Sequence, residues 1–321
     1  MSRPTNMPQR TGGHFCAISA FPLVIFHFLL YPIKGGKHMY DRTEVGSRGY
    51  LTEEFRLFHL RDQQQLQLDY HYHPFDKIVI PLSGQVTYLV EGSTYYLRPW
   101  DILLVGRGEI HRPTIDLAEP YERIVLWLRP QLGDDSQELM DCFQRAKSGG
   151  PRLLRPEPDG RLGYRALLHD LEQAQHSRDF GHQVLSRTYF LQLLVFLNRQ
   201  LRAADRHSPD TVRQDPKIQQ ALDYINSHLD QDLSAQALSQ AVYLSRYHLM
   251  RRFKAVTGQT LHQYVVQKRL IRAAELLQAG LPATQASQQA GFGSYPAFLR
   301  AFRQTYHALP SQLRGGGDRP E

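Results

Sequence analysis

Cysteine is nearly absent from this chain: 321 residues carry two, Cys16 and Cys142. Neither sits in a C-x-x-C pair or among histidines at metal-ligand spacing, so a disulfide framework is excluded and a reducing cytoplasm is the expected compartment. Acidic charge is in deficit, with 31 Asp and Glu against 38 Lys and Arg and a formal charge of +7. An anionic partner fits that balance. Apolar content of 41% and charged content of 21% exclude a disordered or fibrous chain. Long apolar runs are missing except for "FCAISAFPLVIFHFLLYPI", residues 15 to 33, which follows Arg3 and Arg10 and has about the length of a membrane span. Two prolines and His27 interrupt it, and no small-residue cleavage site follows. The reading adopted is that residues 1–38 are a disordered upstream extension, that the native chain starts at Met39, and that no membrane is involved.

The length is that of two ordinary domains. From Tyr50 to about Pro130, short β-rich runs ("FRLFHL", "KIVIPL", "QVTYLV", "TYYLR", "DILLV", "RIVLWL") alternate with Gly and Pro punctuation. That rhythm predicts a sandwich or barrel. "LVEGSTYYL" reads as a hairpin turning at Gly92. Between Asp134 and Ala204 the period becomes helical, in "SQELMDCFQRAK", "RLGYRALLHDLEQAQ" and "VLSRTYFLQLLVFLNRQL". The last has apolar residues on too much of its surface for one buried stripe, so it needs a packing partner on a second side, either the β-domain or another subunit. The polar, proline-bearing stretch over residues 203–214 reads as a linker, and only helices follow it.

Those helices hold most of the charge excess: from Asp215 to Arg314 there are 11 Lys and Arg against 5 Asp and Glu. Ser234 and Ser245 suit N-caps, and the helices they open are separated only by "AVYLS", which is helix-turn-helix spacing. On the second helix Leu249, Phe253 and Val256 share the face to be buried, leaving Tyr247, Met250, Arg251 and Lys254 outward. Guanidinium, ammonium and apolar groups on one exposed face are what a helix entering the major groove uses. A shift of 49 residues superposes this pattern on a second copy: Ser245 on Ser294, Leu249 on Phe298, Arg251 on Arg300, Phe253 on Phe302 and Lys254 on Arg303. Between the copies, "TLHQYVVQKRLIRAAELLQAG" predicts a helix of about 30 Å, close to the roughly 34 Å repeat of the duplex. The duplication therefore predicts one polypeptide reading two adjacent grooves.

"YLSRYHLMRRFK", the glycine of "VTG", "RLIRAAELL", "AGFGS" and "FLRAFR" come in order and spacing that resemble the AraC/XylS family of bacterial transcription regulators over residues 215–314. The resemblance implies base contacts from Tyr247, Met250 and Arg251, and in the second copy from Pro296, Leu299 and Arg300. It also implies phosphate contacts from Arg246, Lys254 and Arg303, with His248 and Tyr295 on the same surfaces. The second copy departs from the family pattern, with Ala283 and Ala286-Ser287 in place of larger apolar residues and His307 where a glycine ends the reading helix.

"HYHPFDKIVIPLSG" places His71 and His73 on one side of a strand, and "VGRGEIHRP" adds His111. With Gly84 and Gly108, this pattern resembles the cupin fold, whose histidines and an acid hold a divalent ion. Here Lys77 takes the acid's place. An ammonium there opposes a cation, so no metal or other cofactor is expected, and His71, His73 and His111 are the set that would hold an ion if one bound. The family resemblance instead implies a small-molecule sensor, with His71, His73, Lys77, Tyr88, Trp100 and His111 as candidate contacts for a polar effector such as a sugar or sugar acid.

The expected architecture is thus α+β in two domains. A cupin-like β-barrel over residues 39–132 is followed by a helical dimerisation region over 133–202, a linker over 203–214, an all-α module with two helix-turn-helix units over 215–314, and a disordered tail over 315–321. The expected function is a cytoplasmic, dimeric transcriptional regulator, an activator rather than an enzyme. Its partners would be duplex DNA, a small-molecule effector that could be a carbohydrate and, by family resemblance, RNA polymerase. The alternative is a cupin metalloenzyme, an isomerase or dioxygenase, with a basic helical appendage.

Overall fold

The computed structural model describes Leu51 and residues 53–62, 69–116, 119–204 and 212–313; the expectations for residues 1–38 and for the tail lie outside these. The elements in order are β1 (Phe55–Asp62), β2 (Asp76–Ser83), β3 (Gln85–Val90), β4 (Ser93–Leu97), β5 (Ile102–Val105), β6 (His111–Asp116), β7 (Tyr121–Leu128), a 3-10 turn (Asp134–Met140), α1 (Asp141–Lys147), β8 (Leu153–Leu154), α2 (Pro158–His176) and α3 (His182–Ala204). After them come β9 (Val212–Arg213), α4 (Pro216–Ser227), α5 (Ala235–Ala241), α6 (Arg246–Thr257), α7 (Leu261–Gln278), α8 (Ala283–Gln289), α9 (Tyr295–Tyr306) and α10 (Pro310–Leu313).

The strands form two sheets, β1-β7-β2-β5-β8 and β6-β3-β4-β9, and among the described residues no strand pairing joins them into a ring. The expected barrel is therefore an open sandwich. Its open edge has a local cause: β6 carries Pro113 opposite Tyr88, and a residue without an N–H is tolerated on an edge strand. The same proline hid β6 in the sequence. The β3–β4 turn, Glu91-Gly92, has φ of 45° and 75°, the left-handed pair that closes a two-residue hairpin.

The middle strands of the five-stranded sheet are buried on both faces, which explains why β2, β5 and β7 read as nearly continuous apolar runs. Ile78 and Ile80 face outward into a core shared with Phe143, Tyr164 and Leu168, and with Phe190, Leu193 and Leu197 of α3. Val79 faces inward, packing between the sheets with Val86, Tyr88, Leu103 and Tyr121. α3 thus finds its packing partner in the β-domain and α2, while Val184 and Leu185 near its start stay exposed at 70% and 48%.

The linker is not free at its far end. Val212 and Arg213 pair with Tyr95 and Thr94 on the edge of β4, and Asp215 caps α4 while holding the Arg252 guanidinium at 2.7 Å. Backbone amides left open by β4 supplied the partner, which polar composition alone does not reveal. The helical module has two cores. Ile218, Leu222, Leu249, Phe253 and Tyr264 build the first and Leu270, Leu277, Phe298 and Phe302 the second. α7 packs against both α6 and α9.

Candidate functional site

Two surfaces carry chemistry, and a seam joins them. On the helical module, Ser245 accepts the His248 amide at 3.3 Å and Ser294 accepts the Ala297 amide at 3.4 Å, so each copy starts its second helix with the same hydroxyl cap. Leu249, Phe253, Phe298 and Phe302 are fully buried. Rotation by the helical period then turns the opposite faces to solvent. Arg246, Tyr247, His248, Met250, Arg251 and Lys254 are all exposed on α6, as are Tyr295, Pro296, Arg300 and Arg303 on α9. Leu299 is half-buried. Tyr247 and Met250, at 70% and 50% exposure, form an apolar patch beside Arg251, whose guanidinium lies 5.8 Å from the Tyr247 ring. Arg252 is drawn away from this face by its bidentate pair with Asp215. α7, between α6 and α9 in the chain, is 18 residues long, about 27 Å.

In the β-domain, His71, His73 and His111 come together as a buried group, with a ring nitrogen from each within 4.8 Å of the others. Backbone pairing does this: His71 N donates to His111 O at 3.0 Å and His111 N to His71 O at 2.9 Å. Nδ1 of His111 lies 2.9 Å from the Glu109 carbonyl and Nδ1 of His71 lies 2.8 Å from that of Asp69. A carbonyl only accepts, so both Nδ1 atoms carry a proton. The Nε2 of His111 is buried without a hydrogen-bond partner. Burial first, then the neighbouring His71 and Lys77 charges, holds the His111 pKa well below its usual value.

Lys77 projects between the sheets with Val79, its ammonium 5.9 Å from the Tyr88 ring centroid. Burial, reinforced by Arg123, lowers its pKa to about 7. Lys77 and Tyr88 therefore share the sandwich interior with the histidines. Trp100 does not: it lies in the turn before β5 against the helices, under the Arg165 guanidinium at 3.8 Å, with its carbonyl accepting the Tyr164 hydroxyl. The left-handed turn at Trp100, φ 72°, sends the ring to the helical side.

The seam was not legible in the sequence. Glu91, in the β3–β4 turn, accepts from the Ile110 amide at 2.6 Å, from Lys268 Nζ at 2.8 Å and from the Tyr264 hydroxyl, both of the latter on α7. Lys268 also donates to Gly108 O at 3.2 Å. Burial and the Glu91 charge hold the Tyr264 pKa well above its usual value, so the hydroxyl remains a donor. Two more tyrosines reach across. The Tyr70 ring packs on Gly258, the left-handed C-cap of α6, and Tyr72 donates to the hydroxyl of Tyr306, the last residue of α9, at 2.8 Å. A polar groove of about 820 Å³ runs along the seam, with Glu91, Arg107, Arg152 and Lys147 on one side and Asp223, Lys268 and Arg272 on the other.

Residues 54–194 match the model of the AraC-like ligand binding domain, and residues 238–316 match a helix-turn-helix domain. The HTH-type transcriptional activator RhaS of Salmonella schwarzengrund (strain CVM19633) is 27% identical over 265 residues, spanning 77% of this chain and 88% of its own length. RhaS of Enterobacter sp. (strain 638) is 26% identical over 255 residues with the same coverage. Of solved structures, ToxT from Vibrio Cholerae O395 aligns over 81% of this chain and 96% of its own at 15% identity and a TM-score of 0.35. The DNA-binding domain of AdpA, solved in complex with a target DNA, aligns over 32% of this chain and 91% of its own at 25% identity and a TM-score of 0.30.

Proposed function

The chain belongs to the AraC family of transcriptional regulators, with a ligand-binding domain ahead of its DNA-binding helix-turn-helix module, and from that premise we propose that it is a homodimeric activator that reads duplex DNA with α6 and α9 and binds a small polar effector between its sheets. The observation that carries this reading is the repeat itself. Two hydroxyl-capped helices bury an aromatic or leucine stripe and leave Arg251 and Arg300 exposed at equivalent positions. Arg251, beside Tyr247 and Met250, has the donor fork and apolar neighbours suited to a guanine edge and a thymine methyl. Arg246, Lys254 and Arg303 supply charge for phosphates, and α9, with Pro296 and half-buried Leu299 on its face, adds affinity more than base discrimination.

The effector reading rests on His71, His73, His111, Lys77 and Tyr88 lying on one buried inner surface. Donors and acceptors there suit a hydroxyl-rich or anionic molecule such as a sugar acid. A second copy of the chain would cover Phe180, Val184 and Leu185, which stand exposed around the start of α3. RNA polymerase is the partner through which a bound dimer would activate, and the cytoplasm is where these partners meet. No helix among the described residues is long and apolar enough to cross a membrane.

Selection of bound fragments from a random duplex library tests the central claim. A recurring motif of two half-sites about one helical turn apart is expected; recovery of the input distribution at moderate salt would sink it.

A further inference from the structure

We propose that Tyr243 and Lys217 form a phosphate clamp, a contact to the duplex backbone beside α6 that sets where this helix enters the groove. The clamp rests on the DNA-reading role proposed above, and it asks no base contact of either residue.

The observation that carries it is a strained side chain with nothing inside the protein to hold it. α5 ends in a pattern in which Tyr243 N donates to Gln240 O at 3.3 Å and Leu244 N to Ser239 O at 3.0 Å. α8 ends in the same pattern, Gly291 N to Gln288 O at 2.9 Å and Phe292 N to Ser287 O at 3.0 Å. A helix end of this kind needs a left-handed residue, which glycine supplies without strain. Gly291 does so at φ 86°, whereas the first unit places a tyrosine there at φ 55°. Leu244 and Phe292, the residues that follow, pack against the two helical cores, so the turns are built alike. Tyr243 packs on neither core: it is 88% exposed, and its hydroxyl has no hydrogen-bond partner among the described residues. Glu91 and Trp100 are also left-handed, but their side chains bond or pack inside the protein. A bulky residue kept at positive φ without such contacts marks a place where function tolerates strain.

The neighbours of the ring select a phosphate. Lys217, at the start of α4, holds its ammonium 5.8 Å from the Tyr243 ring centroid and donates to Val242 O at 3.1 Å. Among the described residues it has no carboxylate partner. Asp215 does not offset it, because that carboxylate takes the Arg252 guanidinium at 2.7 Å and the amides of Lys217 and Ile218. A phenol donor beside an unneutralised ammonium matches a phosphodiester: the hydroxyl donates to a phosphate oxygen and the ammonium supplies the opposing charge. Position agrees with chemistry. Tyr243 lies in the turn that ends at Ser245, the N-cap of α6. A helix that aims its N-terminal residues at base edges carries the turn before it over the rim of the groove, where the phosphates lie. The second unit has Gly291, Gly293 and the core-packed Phe292 in its turn, so the clamp belongs to the α6 side alone.

The test uses full-length protein, the duplex recovered by the selection above and a random-sequence duplex of the same length, with a denaturant midpoint measured for every variant. Tyr243→Gly is expected to raise the midpoint, because glycine relieves the left-handed turn, and yet to weaken binding to both duplexes at least about threefold. Tyr243→Phe keeps the ring and the strain, and should lose about as much affinity with an unchanged midpoint. Lys217→Gln should lower the salt slope by about one unit, which Tyr243→Phe should not. Replacing the phosphates beside the α6 half-site singly by methylphosphonates should, at one position, shrink the difference between wild type and Tyr243→Phe. Unchanged affinity in Tyr243→Gly overturns the clamp, and so does a loss confined to the selected duplex, which would place the ring on a base. Lost activation in a reporter with DNA affinity intact also overturns it, moving the tyrosine to a protein partner. If the wild type prefers no duplex, the DNA-reading role fails, while a Tyr243 effect on the random duplex still upholds the backbone contact.

Discussion

Tyr72 and Tyr306, 234 positions apart, share a hydrogen bond of 2.8 Å that ties the ligand-binding domain to the tail end of α9. Together with Tyr70 on Gly258 it makes the segment bearing His71 and His73 a common support for both helix-turn-helix units. The inner surface of the sandwich and the ends of α6 and α9 are thus connected by a short run of backbone.

Base reading and phosphate neutralisation separate experimentally. Arg251→Ala is expected to cost about 1–3 kcal/mol on the preferred site and to relax preference at one base pair. Lys254→Ala should weaken all duplexes alike and reduce the salt slope by about one unit. Competition binding across single-base variants of the selected site, at several salt concentrations, checks both; uniform weakening by Arg251→Ala would move that residue to the phosphates.

The Glu91 seam can be opened by one atom's change. Glu91→Gln leaves the Lys268 ammonium, which now sits 2.8 Å from a carboxylate oxygen, without its counter-charge, and a loss of about 3 kcal/mol in stability is expected. A double-mutant cycle with Lys268→Met should recover much of that loss. Additive losses would mean that the pair is not coupled.

His307 closes α9 in the left-handed region at φ 50°, where Gly258 closes α6 at φ 73°. A Cβ is disfavoured there, so His307→Gly is expected to stabilise the chain by about 1 kcal/mol without changing DNA contacts. Gly258→Ala should do the reverse and more, since its methyl would run into the Tyr70 ring. Denaturant midpoints with unchanged m-values are the readout.

His59 bridges two carboxylates, Glu172 at 3.0 Å on Nδ1 and Glu122 at 2.8 Å on Nε2. The Glu172 hydrogen bond raises the His59 pKa above 6.5 against an opposing desolvation effect, and His59 in turn lowers that of Glu172 below 4.5. The histidine's contribution is fully present below pH 6.5 and fades as pH rises through its folded pKa. The glutamate's is present above pH 4.5 and fades as pH falls. The bridge is therefore strongest between these values, and His59→Gln should flatten the fall in melting temperature on the alkaline side. An unchanged profile would show that solvent screening removes the effect.

Much of the helical module was legible because its determinants are local. Ser234, Ser245 and Ser294 cap the helices expected of them, and the 49-residue repeat places Leu249 and Phe298, Phe253 and Phe302 in matching cores. Helix caps and apolar periods act within a turn or two of chain, so a single sequence exposes them. The strands were found wherever apolar, aromatic or β-branched runs were long, and missed where Pro113 or a two-residue pairing interrupted the pattern.

Sequence alone determined the helices, the longer strands, the repeat and the solvent-facing cations of α6 and α9, since those follow from residue type and period. Only the tertiary structure decided that the sheets form an open sandwich, that Trp100 leaves the histidines while Lys77 and Tyr88 stay on their inner surface, and that Tyr70, Tyr72 and Glu91 reach the DNA-binding helices. Those relations depend on which buried surfaces pair between segments distant in the chain, by as many as 234 positions for Tyr72 and Tyr306, and no local spacing encodes that choice.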